Sequence, residues 1–225
     1  MSISKEVAKI QAELHAYPCN LIVVTKTRSI KELQDVHACG IRDFGENRVQ
    51  EMVDKQAQLP NDIKWHQIGH LQTNKVKYIA PFIHLIHSVD SFSLLKEINK
   101  QAEKHNRVIP CLLQIYIAQE DTKFGLDKQE AIDILQNPEL VNLANIQLVG
   151  LMGMATFTEN TSQIQKEFKQ LKALFDLFKS EEIGLDSQRV VWQEISMGMS
   201  GDYLLAAQEG STMVRVGSAI FGPRA

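Results

Sequence analysis

Short β-branched runs alternate with longer amphipathic helical patterns along the chain, and this alternation constrains the fold more than any other feature. Strands are expected over 20–25 (NLIVVT), 42–45, 63–68, 84–89, 108–117, 147–155, 190–197 and 212–217. Helical patterns fall between them, over 30–39, 46–58, 73–79, 91–106, 127–136, 161–180 and 201–208. Ser29 and Ser91 stand where helix N-caps are wanted, and Gly40 and Gly184 just past helix ends. One further helix precedes the first strand. Ile3, Val7, Ile10 and Leu14 recur at helical spacing among Lys5, Glu6, Lys9 and Glu13, a pattern no signal peptide shows.

Alternation of this kind implies a parallel sheet with crossover helices. Eight strands behind one extra helix count out an α/β fold, a single-domain (β/α)8 TIM barrel over residues 1–225. An open doubly wound sheet would place a glycine-rich phosphate turn after its first strand, where this chain has Thr25-Lys26-Thr27-Arg28. With 225 residues, 44% of them hydrophobic, there is material for one sizeable core, and no Pro- or Ser-rich linker divides it. A net charge of -3 leaves no basic field for nucleic acid or an anionic membrane surface, and no uncharged run is long enough to span a bilayer. Cys19, Cys39 and Cys111 are odd in number and widely separated, so they fit neither a disulfide framework nor a metal-ligand spacing. Free thiols point to a reducing compartment, hence the cytoplasm.

In such a barrel, chemistry sits where strands end and βα loops begin. The first strand ends in Lys26. A lysine there is either a solvated strand end or, if desolvated, an amine with lowered pKa able to form a Schiff base. Ser196-Met197-Gly198-Met199-Ser200-Gly201-Asp202 follows strand seven, and Arg215-Val216-Gly217-Ser218-Ala219 follows strand eight. Both loops pair small hydroxyls with glycines ahead of helical patterns, and barrels often hold a phosphate between these two loops. Tight turns with capping serines explain either loop alone; the pair, together with Lys26, favours phosphate.

Other positions read less sharply. Asn47 is either a polar contact or a helix N-cap. His66 and His70 mimic a metal pair but lack the intervening glutamate, so no metal is expected. His84 and His87 cannot share one strand face and are expected to cap a strand or face solvent. Met152, Met154, Met197 and Met199 read as barrel packing, and Lys75 and Lys77 as solvated surface.

The motifs then match a known family. Val24-Thr25-Lys26-Thr27, Phe44-Gly45-Glu46-Asn47-Arg48-Val49-Gln50-Glu51, Trp65-His66-Gln67-Ile68-Gly69-His70, His87-Ser88-Val89-Asp90, Thr122-Lys123-Phe124-Gly125, Gly150-Leu151-Met152, Ile195-Ser196-Met197-Gly198-Met199-Ser200 and Gly210-Ser211-Thr212-Met213-Val214-Arg215-Val216-Gly217-Ser218 occur in order over nearly the whole chain. The chain resembles the pyridoxal phosphate homeostasis proteins, single-domain relatives of the alanine racemase N-terminal barrel (fold type III among pyridoxal phosphate proteins). The resemblance implies that Lys26 forms the internal aldimine with pyridoxal 5'-phosphate. It implies that Ser200, Gly217 and Ser218 hold the phosphate and that Arg215 faces the pyridine nitrogen, with Asn47, His66 and Ser196 in the same pocket. The chain departs from the family pattern at Thr25, His70, Phe124 and Gly153-Met154-Ala155-Thr156, the last leaving pocket polarity near strand six open.

Arg215 weighs against vigorous catalysis. Arginine stays protonated and donates to a pyridine nitrogen without protonating it, which makes the ring a poorer electron sink. Racemisation needs an acid/base on each side of Cα. Lys26 supplies one; the related racemases take the other from a tyrosine on a second domain, for which no sequence is left here, and neither Tyr116 nor Tyr203 matches a family catalytic position. The resemblance therefore implies a carrier of the cofactor without robust turnover, with apo pyridoxal-phosphate enzymes as acceptors and a monomeric state. The alternatives are a weak amino-acid racemase and a Schiff-base aldolase on a phosphorylated substrate.

Overall fold

The computed structural model describes residues 2–118, 125–183 and 188–222. The expected helix end at Gly184 and the Thr122-Lys123-Phe124 part of one motif lie outside them.

All eight expected strands form: β1 (Asn20–Val24), β2 (Asp43–Glu46), β3 (Lys64–Gln67), β4 (Leu85–Val89), β5 (Ile109–Tyr116), β6 (Ile146–Met154), β7 (Val190–Ser196) and β8 (Met213–Val216). They are parallel and close a barrel in sequence order, β1 pairing with β2 on one side and β8 on the other. Around them run α1 (Ile3–Leu14), α2 (Ile30–Ala38), α3 (Val49–Gln56), α4 (Val76–Ile79), α5 (Phe92–Glu103), α6 (Lys128–Leu135), α7 (Thr161–Ser180), α8 (Tyr203–Gln208) and α9 (Ser218–Phe221). The extra helix α1 is present and buries Val7, Ile10 and Leu14.

Local signals account for most boundaries. Ser29 and Glu32 make a full capping box on α2, Ser91 accepts from the Leu94 N–H at the start of α5, and Gly40 ends α2 at φ +86°. The pattern at 46–58 begins later than expected, at Val49, because β2 continues to Glu46 and keeps that carboxyl inside the protein. Asn47 therefore caps nothing. The pattern at 73–79 divides into a 3-10 turn, Thr73–Lys75, followed by α4.

Most apolar side chains pack between strands and helices in one continuous layer. A separate small group of Ile22, Leu85, Leu112, Val149, Met152 and Met213 packs apart from it. Successive inward positions lie two apart on a strand, so Leu85 is followed by His87 and Met213 by Arg215. The barrel interior is thus apolar in one layer and polar in the next. All three cysteines are free, and burial pushes the Cys19 thiol up to about 11 and Cys111 higher still. Among the described residues, no helix is long and apolar enough to cross a membrane.

Candidate functional site

The C-terminal ends of the strands surround a cavity of about 410 Å³. Lys26, Asn47, Ser200, Arg215, Gly217 and Ser218 all line it, so six of the eight residues singled out in the sequence meet there. His66 and Ser196 do not line it. They are buried below Arg215, because their inward positions on β3 and β7 lie deeper in the barrel than the loops that form the mouth.

The backbone on either side of Lys26 is clamped. The Thr25 hydroxyl donates to Glu46 Oε1 at 2.6 Å, and the Thr25 carbonyl accepts from Lys55 Nζ at 2.6 Å. The same ammonium reaches Glu46 and Glu51, each at 2.7 Å, and Glu51 accepts from the Thr27 N–H at 2.5 Å. Thr27 itself sits at φ +65°, in the turn that follows β1 and carries Lys26. Burial pushes the Glu46 carboxyl up despite hydrogen bonds from Lys55 and Thr25. For Glu51 burial also acts upward, but Lys55 and the Thr27 N–H outweigh it and hold the carboxyl below its ordinary value.

The loops after β7 and β8 interlock. Gly198 turns at φ +94°, where an added Cβ would stand 2.5 Å from the Ala206 Cβ, so only glycine fits. Asp202 accepts from the Met199 N–H at 2.5 Å, and burial raises its carboxyl. Ser200 Oγ accepts from two backbone N–H groups, Gly217 at 3.0 Å and Ala219 at 3.3 Å. Hydroxyls and N–H donors thus converge at one end of the cavity. At its side, Arg215 is 3% exposed and donates to Ser196 Oγ at 2.5 Å and to the Gly153 carbonyl at 3.0 Å. Burial lowers the guanidinium to about 10, which leaves it charged near neutrality. Asn47 lines the cavity with its Oδ1 buried and unpartnered among the described residues. An orphaned amide oxygen beside a cavity marks a place for a ligand donor.

The structure settles several open readings. His70 is exposed and faces Asp90 at 3.3 Å, whereas His66 is buried and reaches Asp43 and His87. His84 is exposed before β4, but His87, expected at a cap or in solvent, is fully buried between His66 and Ser196. Met152 and Met197 are packing residues, whereas Met154 and Met199 line the cavity. Lys77 is exposed and Lys75 half-buried, both near the Tyr78 ring. Near strand six, Thr156 donates twice to the buried Glu167 carboxylate, at 2.7 Å each, which shapes the wall formed by Met154, Thr156 and Phe157. Tyr203 donates to Glu13 outside the cavity, and neither it nor Tyr116 lines the described wall. Sequence reading missed Lys55, Glu46, Glu51 and His87. The spacing of Glu51 and Lys55, four apart on a helix, was the available signal for the first group.

Residues 2–225 match the family "Alanine racemase, N-terminal domain". A pyridoxal phosphate homeostasis protein of Aquifex aeolicus is 36% identical over 91% of this chain and 86% of its own length. One from Mus musculus is 34% identical over 99% and 83%. PipY of Synechococcus elongatus PCC7942 is 33% identical and superposes with a TM-score of 0.87 without PLP and 0.84 with PLP bound, covering 98% of this chain and 100% of that one. An alanine racemase of Bartonella henselae, 18% identical with a TM-score of 0.71, shares the fold over 99% of this chain and 58% of its own.

Proposed function

The chain belongs to the pyridoxal phosphate homeostasis proteins within the alanine racemase N-terminal domain family, and on that premise we propose that it holds pyridoxal 5'-phosphate covalently on Lys26 as an intracellular carrier. The observation that carries this reading is a single cavity that joins one clamped lysine, one buried arginine and one convergence of hydroxyls with backbone N–H groups. Those donors fit the cofactor's three polar parts. Lys26 offers the amine for the aldehyde, Arg215 a permanent donor for the ring nitrogen, and Ser200 and Ser218 hydroxyl donors for the phosphate, with Gly217 beside them directing its N–H onto Ser200 Oγ. Asn47 brings its unpartnered amide oxygen to the same wall. His66 and Ser196 act at one remove, through Arg215.

When bound, the cofactor supplies an electrophilic aldehyde and an electron-withdrawing ring. The residues around it are arranged to hold and shield rather than to turn over substrate. Arg215 donates to a ring nitrogen without surrendering its proton, and Tyr116 and Tyr203, the candidate second bases, lie off the described wall. The whole of residues 1–225 acts as one cofactor-binding barrel domain, monomeric and cytoplasmic, in keeping with three free thiols and the absence of a basic field. Apo pyridoxal-phosphate enzymes are the acceptors, since a lysine-held aldehyde is released by transfer to another amine.

Borohydride reduction of the purified chain followed by peptide mapping tests the reading. The cofactor mass is expected on the Lys26 peptide and lost in Lys26→Ala. An adduct on Lys75 or Lys123 instead would move the site. A colourless protein reduced only after a phosphorylated carbonyl compound is added would favour the aldolase alternative.

A further inference from the structure

Below the cavity, four hydrogen bonds join five side chains in single file. Arg215 Nη1 meets Ser196 Oγ at 2.5 Å, and Ser196 Oγ meets His87 Nδ1 at 2.9 Å. His87 Nε2 meets His66 Nδ1 at 2.9 Å, and His66 Nε2 meets Asp43 Oδ1 at 3.0 Å. The residues come from β8, β7, β4, β3 and β2. Asp43 is the first residue of its strand, so the file runs from the mouth to the opposite face of the barrel. Every member but Asp43 is buried.

With one hydrogen on each ring, the hydrogens in this file have one consistent order. Arginine only donates, so Ser196 accepts from it. The single hydroxyl hydrogen of Ser196 then goes to His87 Nδ1. Burial, with the Arg215 charge nearby, holds His87 well below the ordinary histidine range, so the ring is neutral, and with Nδ1 taken by the Ser196 hydrogen it carries its own on Nε2. That hydrogen is given to His66 Nδ1, and His66 uses its own on Nε2 to reach the carboxylate, which only accepts. One end of the file cannot accept and the other cannot donate, so its polarity is fixed from both ends.

We propose that Asp43, His66 and His87 are positioning residues for Arg215, the carboxylate at the barrel floor fixing the hydrogen on each ring so that Ser196 keeps its lone pairs for the guanidinium. The inference rests on Arg215 as the cofactor-facing cation. It also explains why polar side chains occupy an inward layer that barrels usually fill with branched apolar ones.

The floor offers one competing reading. Asp43, His66 and His84 have ligand atoms within 4.8 Å of one another, as a divalent ion would want. A metal needs the lone pair on His66 Nε2, which would send that ring's hydrogen to Nδ1, reverse His87, and leave Ser196 accepting from both sides. Lys64 and Arg107 add positive field at this cluster, which disfavours a dication. The two readings thus predict opposite tautomers.

Nitrogen-15 NMR of histidine-labelled protein, prepared without cofactor, reads the tautomers directly and does not depend on the Lys26 assignment. Both His66 and His87 are expected as the Nε2–H form. An Nδ1–H form of either ring, whether metal-induced and abolished by a chelator or not, would overturn the proposal. Asp43→Asn, which can donate as well as accept, is expected to mix the tautomers and to weaken pyridoxal 5'-phosphate on the order of 3- to 10-fold, about the worth of one neutral hydrogen bond. In an Arg215→Leu background the same change is expected to add nothing. An equal loss in both backgrounds would make Asp43 merely structural and sink the idea.

Discussion

The ammonium of Lys55 donates to the carbonyl oxygen of Thr25 at 2.6 Å, so a buried lysine on α3 holds the residue that immediately precedes the cavity's own lysine. The two lysines have opposite duties. Lys55 spends its three hydrogens on Thr25, Glu46 and Glu51, while Lys26 presents its side chain to the cavity. Replacing Lys55 by methionine removes the cation facing the fully buried Glu46 carboxyl. Breaking a buried pair on one side costs about 3–5 kcal/mol. Urea unfolding of Lys55→Met is expected to show a loss of that order, and Lys55→Met with Glu46→Gln to recover much of it. An unchanged midpoint for the single variant would mean that Glu46 is neutral and the clamp idle.

Phosphate recognition is expected to depend unequally on the two serines. Ser218 is exposed at the cavity wall, and its loss to alanine removes a hydroxyl donor outright. Hydrogen bonds to charged groups are worth about 1.5–3 kcal/mol, so affinity for pyridoxal 5'-phosphate should fall roughly 10- to 100-fold. Ser200 differs because its oxygen already occupies the Gly217 and Ala219 N–H groups. Ser200→Ala removes a hydroxyl but releases two backbone donors, so its penalty should be the smaller one. Pyridoxal without phosphate should respond to neither variant. Equal losses for both ligands would move the phosphate elsewhere.

The barrel and its mouth were legible because each depends on short-range pattern. Strand periodicity, the Ser29 and Ser91 caps and the position of Lys26 directly after an apolar run are local, and each appears where expected. The layer beneath was not legible, because its partners are joined only by barrel closure. His87 and Ser196 are 109 residues apart in sequence, and nothing in either neighbourhood marks the other. Lys55 reads as a surface lysine of an amphipathic helix until β2 is seen to carry Glu46 inside. His66 and Ser196 had the right neighbourhood but the wrong depth, since spacing fixes a residue's strand and face more readily than its layer.

Stability should fall as pH drops below neutrality. Partial desolvation of its ring, then the nearby positive charge, lowers His84 from 6.5 to about 4 although the residue is largely exposed, and burial holds His87 well below 6.5. Between those values the unfolded chain binds protons that the folded chain refuses, so acid favours unfolding across the window from about 6.5 to 4. Asp43 adds nothing within it. Burial acts to raise that carboxyl, but the His66 hydrogen bond and nearby positive charge outweigh it, so its contribution is lost only below 3.8. Melting temperature measured from pH 7 to pH 5 should decline steadily, and less so in His84→Asn. A flat profile would show that both rings take up protons as readily in the folded protein as in the unfolded chain.

Amino-acid racemisation is expected to be absent or very slow, on the strength of what the cavity wall presents. Its described ionisable groups are Lys26, Arg28, Asp202 and Arg215. Two are guanidiniums, which do not give up protons near neutrality. Asp202 is engaged by the Met199 N–H, and Tyr203 is turned away to Glu13. That leaves Lys26 as the amine able to take a Cα proton and return it to the same face, which preserves configuration, whereas inversion needs a second group across the substrate. Incubation of the coloured protein with L-alanine in deuterated water, followed by mass and chiral analysis, measures both events. Slow deuterium uptake with retained L-configuration is the expected result. Rapid appearance of the D-isomer, abolished by Lys26→Ala and reduced by Asp202→Asn, would show that Asp202 leaves Met199 to serve as the second base and that the protein is a racemase.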